Sequence, residues 1–372
     1  MKYNDVLFLT LKVFSATGGI EKVCRVAGKA LYEYSIEKDL AVQVYTMHGH
    51  KDAAVNNRYF PSEMFRGFGG KRIRCIIASV KKGYNSKLVM MSHINLLLIG
   101  WMIKKISPST KLVLFAHGIE VWKPLNPLKR MMLKSCDEII SVSQYTNQKM
   151  QELHHIPKEK CRVLNNCLDP FLPQPVESGK NEKLLLKYGF KAEHKILFTL
   201  TRLSSKERFK GYDKVLESLV ELKTKYPETR YLIGGSFDYL EKTFLDERIR
   251  ALGLTENVAM SGFIPDEQLA SYFKLADIYV MPSMKEGFGI VFIEAMYYGL
   301  PVIAGNADGS VDALGNGKFG LMVDPQRKEE LTAALSKMLD NRSAYLPDQA
   351  ALLEQFSYTR YKENLQHIIG AN

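Results

Sequence analysis

The sequence predicts an α/β protein made of two Rossmann-like units, each a parallel sheet covered by helices. Three observations predict it: a length suited to two cores, short apolar runs alternating with helical stretches, and a proline-rich break after which the alternation begins again. At 372 residues and 42.3 kDa the chain exceeds what one hydrophobic core usually organises. In the first half, residues 6–11, 41–47, 87–91, 111–116 and 138–142 have the short apolar character of buried strands. Gly18 and Gly19 open a helical stretch rich in Val, Ala and Leu as far as Tyr34. Residues 165–179 hold Pro170, Pro173, Pro175 and Gly179, a linker composition. Beyond it, strands are expected at 196–201, 230–233, 258–261, 278–281 and 301–304, with helices at 328–341 and 358–369. Strands alternating with helices imply parallel sheets covered on both faces. Domains are therefore expected at 1–172 and 180–355, facing a central cleft where ligands of such sheets usually bind.

The composition, 46% hydrophobic and 24% charged, is that of a soluble globular protein. The longest uncharged apolar stretch of the first half, 96–103, is far short of the roughly 20 residues of a transmembrane helix. The first residues lead into a short apolar run with no small-residue cleavage site after it. Five cysteines, at 24, 75, 136, 161 and 167, form no Cys-x-x-Cys pair, and their odd number argues against a disulfide framework. A cytoplasmic protein with reduced thiols is expected, a monomer or weak oligomer. Residues 1–175 hold 26 Lys and Arg against 13 Asp and Glu, a net +13; residues 176–372 hold 25 against 27, a net −2; the sum is the +11 of the chain. A basic half suits a phosphorylated substrate, an anionic membrane surface at the inner face of the cell membrane, or a solvated face with no partner. The segment Trp101-Met102-Ile103-Lys104-Lys105 fits either a place near the bilayer or a buried helix end. Nucleic acid is not expected, because no binding motif accompanies the charge.

The strongest chemical signal is Glu286-Gly287-Phe288-Gly289-Ile290-Val291-Phe292-Ile293-Glu294, just beyond the strand expected at 278–281. Gly287 and Gly289 permit tight backbone geometry and close approach of a ligand. A helix opening near Ile290 aims free N–H groups and its positive dipole end at an anion. Glu286 in the loop and Glu294 in the helix offer carboxylates to a ribose and a second polyol. The plainer alternative is a strand–loop–helix corner with two capping carboxylates. Arg202 at a strand end and Lys210 eight residues later suit a diphosphate, one as a planar fork and one as a point charge. Lys206 is a rival for the role of Lys210, and Arg208 a basic neighbour. His117 follows the apolar run Leu112-Val113-Leu114-Phe115-Ala116, at a strand's C-terminal end, where active sites of α/β sheets gather.

These residues resemble the retaining family-four glycosyltransferases of the GT-B fold, and the resemblance spans nearly the whole chain. The stretch from Glu286 to Glu294 is similar to the family's E-x7-E signature. Gly18-Gly19-Ile20-Glu21 resembles its glycine loop, whose backbone approaches the donor diphosphate. His117-Gly118-Ile119-Glu120 resembles the loop bearing its active-site histidine, which implies a hydrogen bond from His117 to the transferred sugar. Glu120 would orient that ring or meet the acceptor. Thr201-Arg202-Leu203 with Phe209-Lys210-Gly211 is similar to the Arg…Lys-Gly pair that grips the pyrophosphate, and Gly262, Phe263 and Ile264 sit where the family's backbone meets the nucleobase. Residues 356–372 resemble the helix that crosses back to the N-terminal domain. One departure is Asp312, where the family usually carries glutamate after Asn306-Ala307-Asp308-Gly309-Ser310-Val311.

The resemblance implies transfer of a hexose, with retention, from a nucleoside-diphosphate sugar to a glycan or lipid-linked acceptor. UDP-hexose is the first choice of donor and GDP-mannose the second. Catalysis would rest on His117, Arg202, Lys210 and Glu286, with Gly287, Phe288, Gly289, Ile290, Val291 and Glu294 completing the donor site. No Asp-x-Asp occurs, so no metal and no cofactor are expected. A GT-B hydrolase or epimerase, or a nucleotide-sugar-binding protein without transferase activity, is the alternative. A dinucleotide oxidoreductase is disfavoured, since no Gly-x-Gly-x-x-Gly follows an early strand.

Overall fold

The computed structural model describes residues 5–15, 18–175 and 179–370. The chain divides into two compact units: one takes the chain as far as Phe171 and again from Phe356, and the other is Leu172–Gln355.

The first unit is a seven-stranded parallel sheet in the order β3-β2-β1-β4-β5-β6-β7. Its strands are β1 (Asp5–Thr10), β2 (Ala41–Thr46), β3 (Phe65–Gly67), β4 (Ser86–Met91), β5 (Lys111–Ala116), β6 (Glu138–Ser141) and β7 (Cys161–Val163). The crossovers carry α1 (Gly19–Lys38), α2 (Arg72–Gly83), α3 (Leu97–Ile106), α4 (Pro127–Lys134) and α5 (Gln144–His154). Val6, Leu7, Phe8 and Leu9 are all buried because helices cover both faces of β1. One face packs on α1 through Ala27, Ala30 and Leu31; the other packs on α3 and α4 through Ile99, Ile103, Met132 and Leu133. All five cysteines are buried free thiols.

The second unit is a six-stranded parallel sheet in the order β10-β9-β8-β11-β12-β13. Its strands are β8 (Lys195–Leu200), β9 (Thr229–Gly234), β10 (Val258–Gly262), β11 (Ile278–Met281), β12 (Val302–Gly305) and β13 (Leu321–Val323). Its helices are α6 (Glu182–Tyr188), α7 (Tyr212–Lys225), α8 (Tyr239–Ala251), α9 (Leu269–Leu275), α10 (Ile290–Tyr297), α11 (Ser310–Ala313) and α12 (Lys328–Asp340), followed by α13 (Gln349–Phe356).

The last helix, α14 (Tyr358–Gly370), returns to the first unit. Tyr361, Leu365, Ile368 and Ile369 enter the core beside α1, while Lys362 pairs with Glu33 at 3.2 Å. Three elements differ from expectation: β3, β7 and β13 each span three residues, too short to leave a periodic signal. Helix α1 also continues to Lys38, four residues past Tyr34, and stops where Asp39 turns left-handed at φ 51°.

In each sheet the winding direction reverses once, between β1 and β4 and between β8 and β11. The loops leaving those strands diverge there, opening the crevice in which ligands of such sheets bind. Gly18 and Gly19 lie after β1, Arg202 after β8 and Glu286 after β11.

Candidate active site

In the second unit, the loops after β8 and β11 bring Lys210 and Glu286 together. The ammonium donates to the Glu286 carboxylate, and their side chains are only 12% and 18% exposed. Backbone contacts set this meeting. The Met284 N–H donates to the Phe209 carbonyl at 2.8 Å, and Gly211 lies so close to Pro282 that a Cβ would strike the proline carbonyl. Gly211 also has φ +80°, which a side chain resists. The glycine after Lys210 therefore lets the basic loop dock against the acidic one.

Arg202 does not stand free. It is exposed and ion-paired with Glu207. Arg208, the basic neighbour, is a structural group: it binds the buried Glu241 at 2.9 Å and covers the Phe244 ring. Lys206 is exposed, and its side chain forms no hydrogen bond or ion pair among the described residues. Asp238 holds the loop from outside the motif. Its carboxylate accepts from Ser204 Oγ, from the Ser205 N–H and from the Glu241 N–H, all within 2.9 Å. Backbone N–H groups of Glu241 and Ser205 favour its charged form and lower its pKa to about 2.

Helix α10 begins at Ile290 behind Gly289, whose φ is +85°. The first-turn N–H groups of Ile290 and Val291 have no partner within the helix and supply the positive end of its dipole. The Phe288 side chain is buried in the core. Glu294 is likewise almost wholly buried. Gly262 turns at φ +71°, beside an exposed Phe263 and a buried Ile264.

A residue outside the expected site underpins Glu286. Asp308 is buried, and its carboxylate accepts from the Glu286 N–H at 2.6 Å and from the Ser310 N–H at 2.9 Å. The Gly309 N–H in turn donates to the Glu286 carbonyl at 2.8 Å. A side chain at Gly309 would collide with the Gly287 carbonyl. Burial raises the Asp308 pKa to about 6, and the nearby Glu286 charge adds to the effect. Asp312, the departure from the family pattern, sits half-buried on the short α11. In the sequence, a lone Asp-Gly-Ser after a strand reads as an ordinary turn, so nothing local singles out Asp308. Phe237 is exposed beside Gly262, with its ring 3.9 Å from where a Cβ on that glycine would lie.

In the first unit, Gly18 caps the N-terminus of α1, with Glu21 in its first turn. A Cβ on Gly18 would strike the Glu21 carboxylate, whereas Gly19 has open space around it. His117 follows β5 and is nearly buried, stacked on Phe115 with ring centroids 6.0 Å apart. Its Nε2 lies 2.8 Å from the Ser92 carbonyl and its backbone N–H donates to the Glu120 carboxylate at 2.6 Å. Gly118, at φ 140° and ψ −109°, turns the chain in a way closed to other residues. Burial lowers the His117 pKa, which Glu120 partly opposes. His93, after β4, is a second histidine within electrostatic reach, and burial lowers its pKa also. His93 shares with His117 a position just beyond a strand's C-terminal end. Among the described residues, no three His, Cys, Asp or Glu side chains are grouped so as to hold a metal ion.

Residues 181–359 match the family model described as Glycosyl transferases group 1, and residues 17–170 match Glycosyltransferase Family 4. Among curated relatives, a GDP-mannose-dependent α-(1-6)-phosphatidylinositol monomannoside mannosyltransferase of Mycolicibacterium smegmatis is 29% identical over 247 residues, 62% of this chain and 61% of that protein. Mannosylfructose-phosphate synthase of Agrobacterium fabrum is 29% identical over 58% of this chain and 48% of its own length. The chain thus spans about half to three fifths of these relatives. Among solved structures, HepE of Anabaena in complex with UDP superposes with a TM-score of 0.81 at 19% identity, covering 99% of this chain and 100% of that one. Sucrose-phosphate synthase of Thermosynechococcus elongatus gives 0.77 at 19% identity, covering 98% of each. Fold and matches define a class of enzyme, the GT-B glycosyltransferases. Within that class the chain belongs to family four, its two model matches taking in nearly all of the sequence.

Proposed function

We propose that the protein moves a hexose from a nucleoside-diphosphate sugar to a hydroxyl of a glycan or lipid-linked acceptor, with retention at the anomeric carbon. The observation that carries this reading is Lys210 held against Glu286 beside the N-terminus of α10, at the switch point of the second sheet. In this reading the diphosphate accepts from Arg202, Lys210 and the N–H groups of Ile290 and Val291. It competes with Glu207 for the guanidinium and with Glu286 for the ammonium. Glu286, released, binds hydroxyls of the donor sugar, Glu294 serves the ribose, and Gly262, Phe263 and Ile264 meet the base. Gly18 and Gly19 approach the diphosphate, and His117 hydrogen-bonds the transferred sugar.

The bond from the anomeric carbon to the β-phosphate oxygen breaks as the acceptor oxygen bonds that carbon from the same face. The acceptor's proton passes to the departing phosphate. Fixed positive groups stabilise the nucleoside diphosphate as its charge develops, which lowers the barrier rather than merely tightening binding. No step in this scheme uses a metal ion.

UDP-hexose is the favoured donor, supported by the UDP complex of HepE; GDP-mannose comes second, supported by the mycobacterial mannosyltransferase. A thermal-shift panel of nucleoside diphosphates and their sugar conjugates tests the reading, because a ligand that binds the native state raises its apparent stability. UDP or UDP-hexose is expected to give the largest shift. No shift with any nucleoside diphosphate would remove the donor site. Release of free sugar from donor, unaffected by any acceptor, would make the protein a hydrolase instead.

A further inference from the structure

From residue 64 to residue 119 the chain carries ten Lys and Arg and no Asp or Glu. Four more basic residues and no acidic one follow between 121 and 136. This stretch forms α2, α3 and α4, with α2 packed on α3 and α3 on α4. Their inner sides, including Cys75, Ile99, Ile103, Met132 and Leu133, join the core. Their outer sides expose large apolar groups: Ile73 (74%) and Ile77 (63%) on α2, Leu98 and Ile106 on α3, Leu128 and Met131 on α4. Ile73 and Ile77 lie one turn apart and so share a face of α2. Single exposed apolar residues are ordinary, but six in one helical layer lacking acidic residues are not.

Two sets of cations stand out in and beside this layer. Lys82 pairs with Asp5, Lys104 with Asp137 and Lys111 with Glu138, each partner lying on or next to a strand of the sheet. Lys71, Arg72, Arg74, Lys81 and Lys134 are exposed and form no ion pair among the described residues. The free charges thus accompany the exposed apolar groups. Trp101 is not among the latter, since it packs against the core with the Lys105 ammonium over its ring.

We propose that the outer face of α2, α3 and α4 docks on an anionic phospholipid bilayer. Ile73 and Ile77 enter the boundary between headgroups and acyl chains, while Arg72, Arg74 and Lys81 meet lipid phosphates. Such an interface calls for apolar side chains ringed by cations. A second copy of the chain is a poorer occupant, because a two-fold contact through this face would set like charges against each other. Nucleic acid would use the cations and leave the isoleucines idle. The surface stands independently of the donor chemistry proposed above.

Sedimentation of the full chain with phosphatidylcholine vesicles, with and without phosphatidylglycerol, tests the proposal. Binding is expected only to the anionic vesicles, weakening as salt rises. Arg72→Glu with Arg74→Glu should reduce it by about tenfold or more, given about 1 kcal/mol per basic group near such a surface. Ile73→Ser with Ile77→Ser should reduce it comparably, and circular dichroism checks that both variants remain folded. No vesicle binding, or equal binding to neutral vesicles, overturns the proposal. So does undiminished binding by the isoleucine variant, which would leave only nonspecific charge attraction. Dimerisation abolished by the isoleucine variant would put a second copy on this face and overturn it too. Vesicle binding without any nucleoside-diphosphate shift would sink the donor reading alone.

Discussion

Lys210 and Glu286, 76 residues apart in sequence, form an ion pair that is more than four-fifths buried. Removing either partner leaves the other charge shielded from water without compensation, which costs stability as well as function. Lys210→Ala and Glu286→Ala should each lower kcat/KM by about 100-fold or more, the usual effect of losing one preorganised charge. The double variant should be more stable than the sum of the single losses predicts, because it strands no charge. Turnover assays and denaturant midpoints on the three variants check both points; near-normal turnover by either single variant removes that residue from the site.

Asp308 should leave a signature in stability against pH. Its folded pKa, about 6, lies above the ordinary aspartate value of 3.8, so between those values the native state holds a proton that the unfolded chain has lost. The stabilisation is complete below about pH 4 and is lost as pH rises through 6. Asp308→Asn cannot titrate. The stability of the natural chain relative to this variant should therefore fall between pH 4 and 6 and level off above. Urea midpoints across that range measure it, and a difference independent of pH contradicts the assignment.

His117 is expected to act as a neutral ring. A carbonyl only accepts, so Nε2 must carry the proton donated to Ser92, which leaves Nδ1 as an acceptor. Burial holds its pKa below the ordinary 6.5. Full turnover should thus persist somewhat below pH 6.5 and fall only as the ring takes up a second proton. His117→Ala should cut kcat by about 100-fold while leaving the UDP-induced thermal shift in place. An unchanged kcat refutes the role.

Three glycines should respond differently to alanine. Gly211 combines a positive φ with a clash against Pro282, and Gly309 would collide with the Gly287 carbonyl. Alanine at either should cost about 1–3 kcal/mol, seen as a Tm several degrees lower. Gly19 has room for a methyl group at the first position of a helix, so Gly19→Ala should keep the natural Tm. A large loss there would show that its backbone conformation, not ligand approach, requires glycine.

Metal-free departure of the nucleoside diphosphate predicts that EDTA leaves turnover unchanged. Fixed cations and helix dipoles then take the part an ion would play. A strict requirement for Mg²⁺ or Mn²⁺ in the same assay would overturn that part of the mechanism.

Much of the architecture was written locally. Ten of the thirteen strands announce themselves as apolar runs, because a strand buried on both faces must be apolar along its length. The short β3, β7 and β13 do not, since three residues carry no period. Within the site, Glu286, Gly289 and the start of α10 at Ile290 were likewise legible from glycine spacing and helix onset. The pairings were not. Nothing local says that Lys210 meets Glu286, that Phe288 buries its ring, that Glu294 is almost sealed from solvent, or that Asp308 sits beneath Glu286. Backbone conformation and burial are favoured by neighbouring residues, so a sequence records them. The partner and pKa of a charge depend on groups brought close from tens of residues away, and only the folded chain decides those.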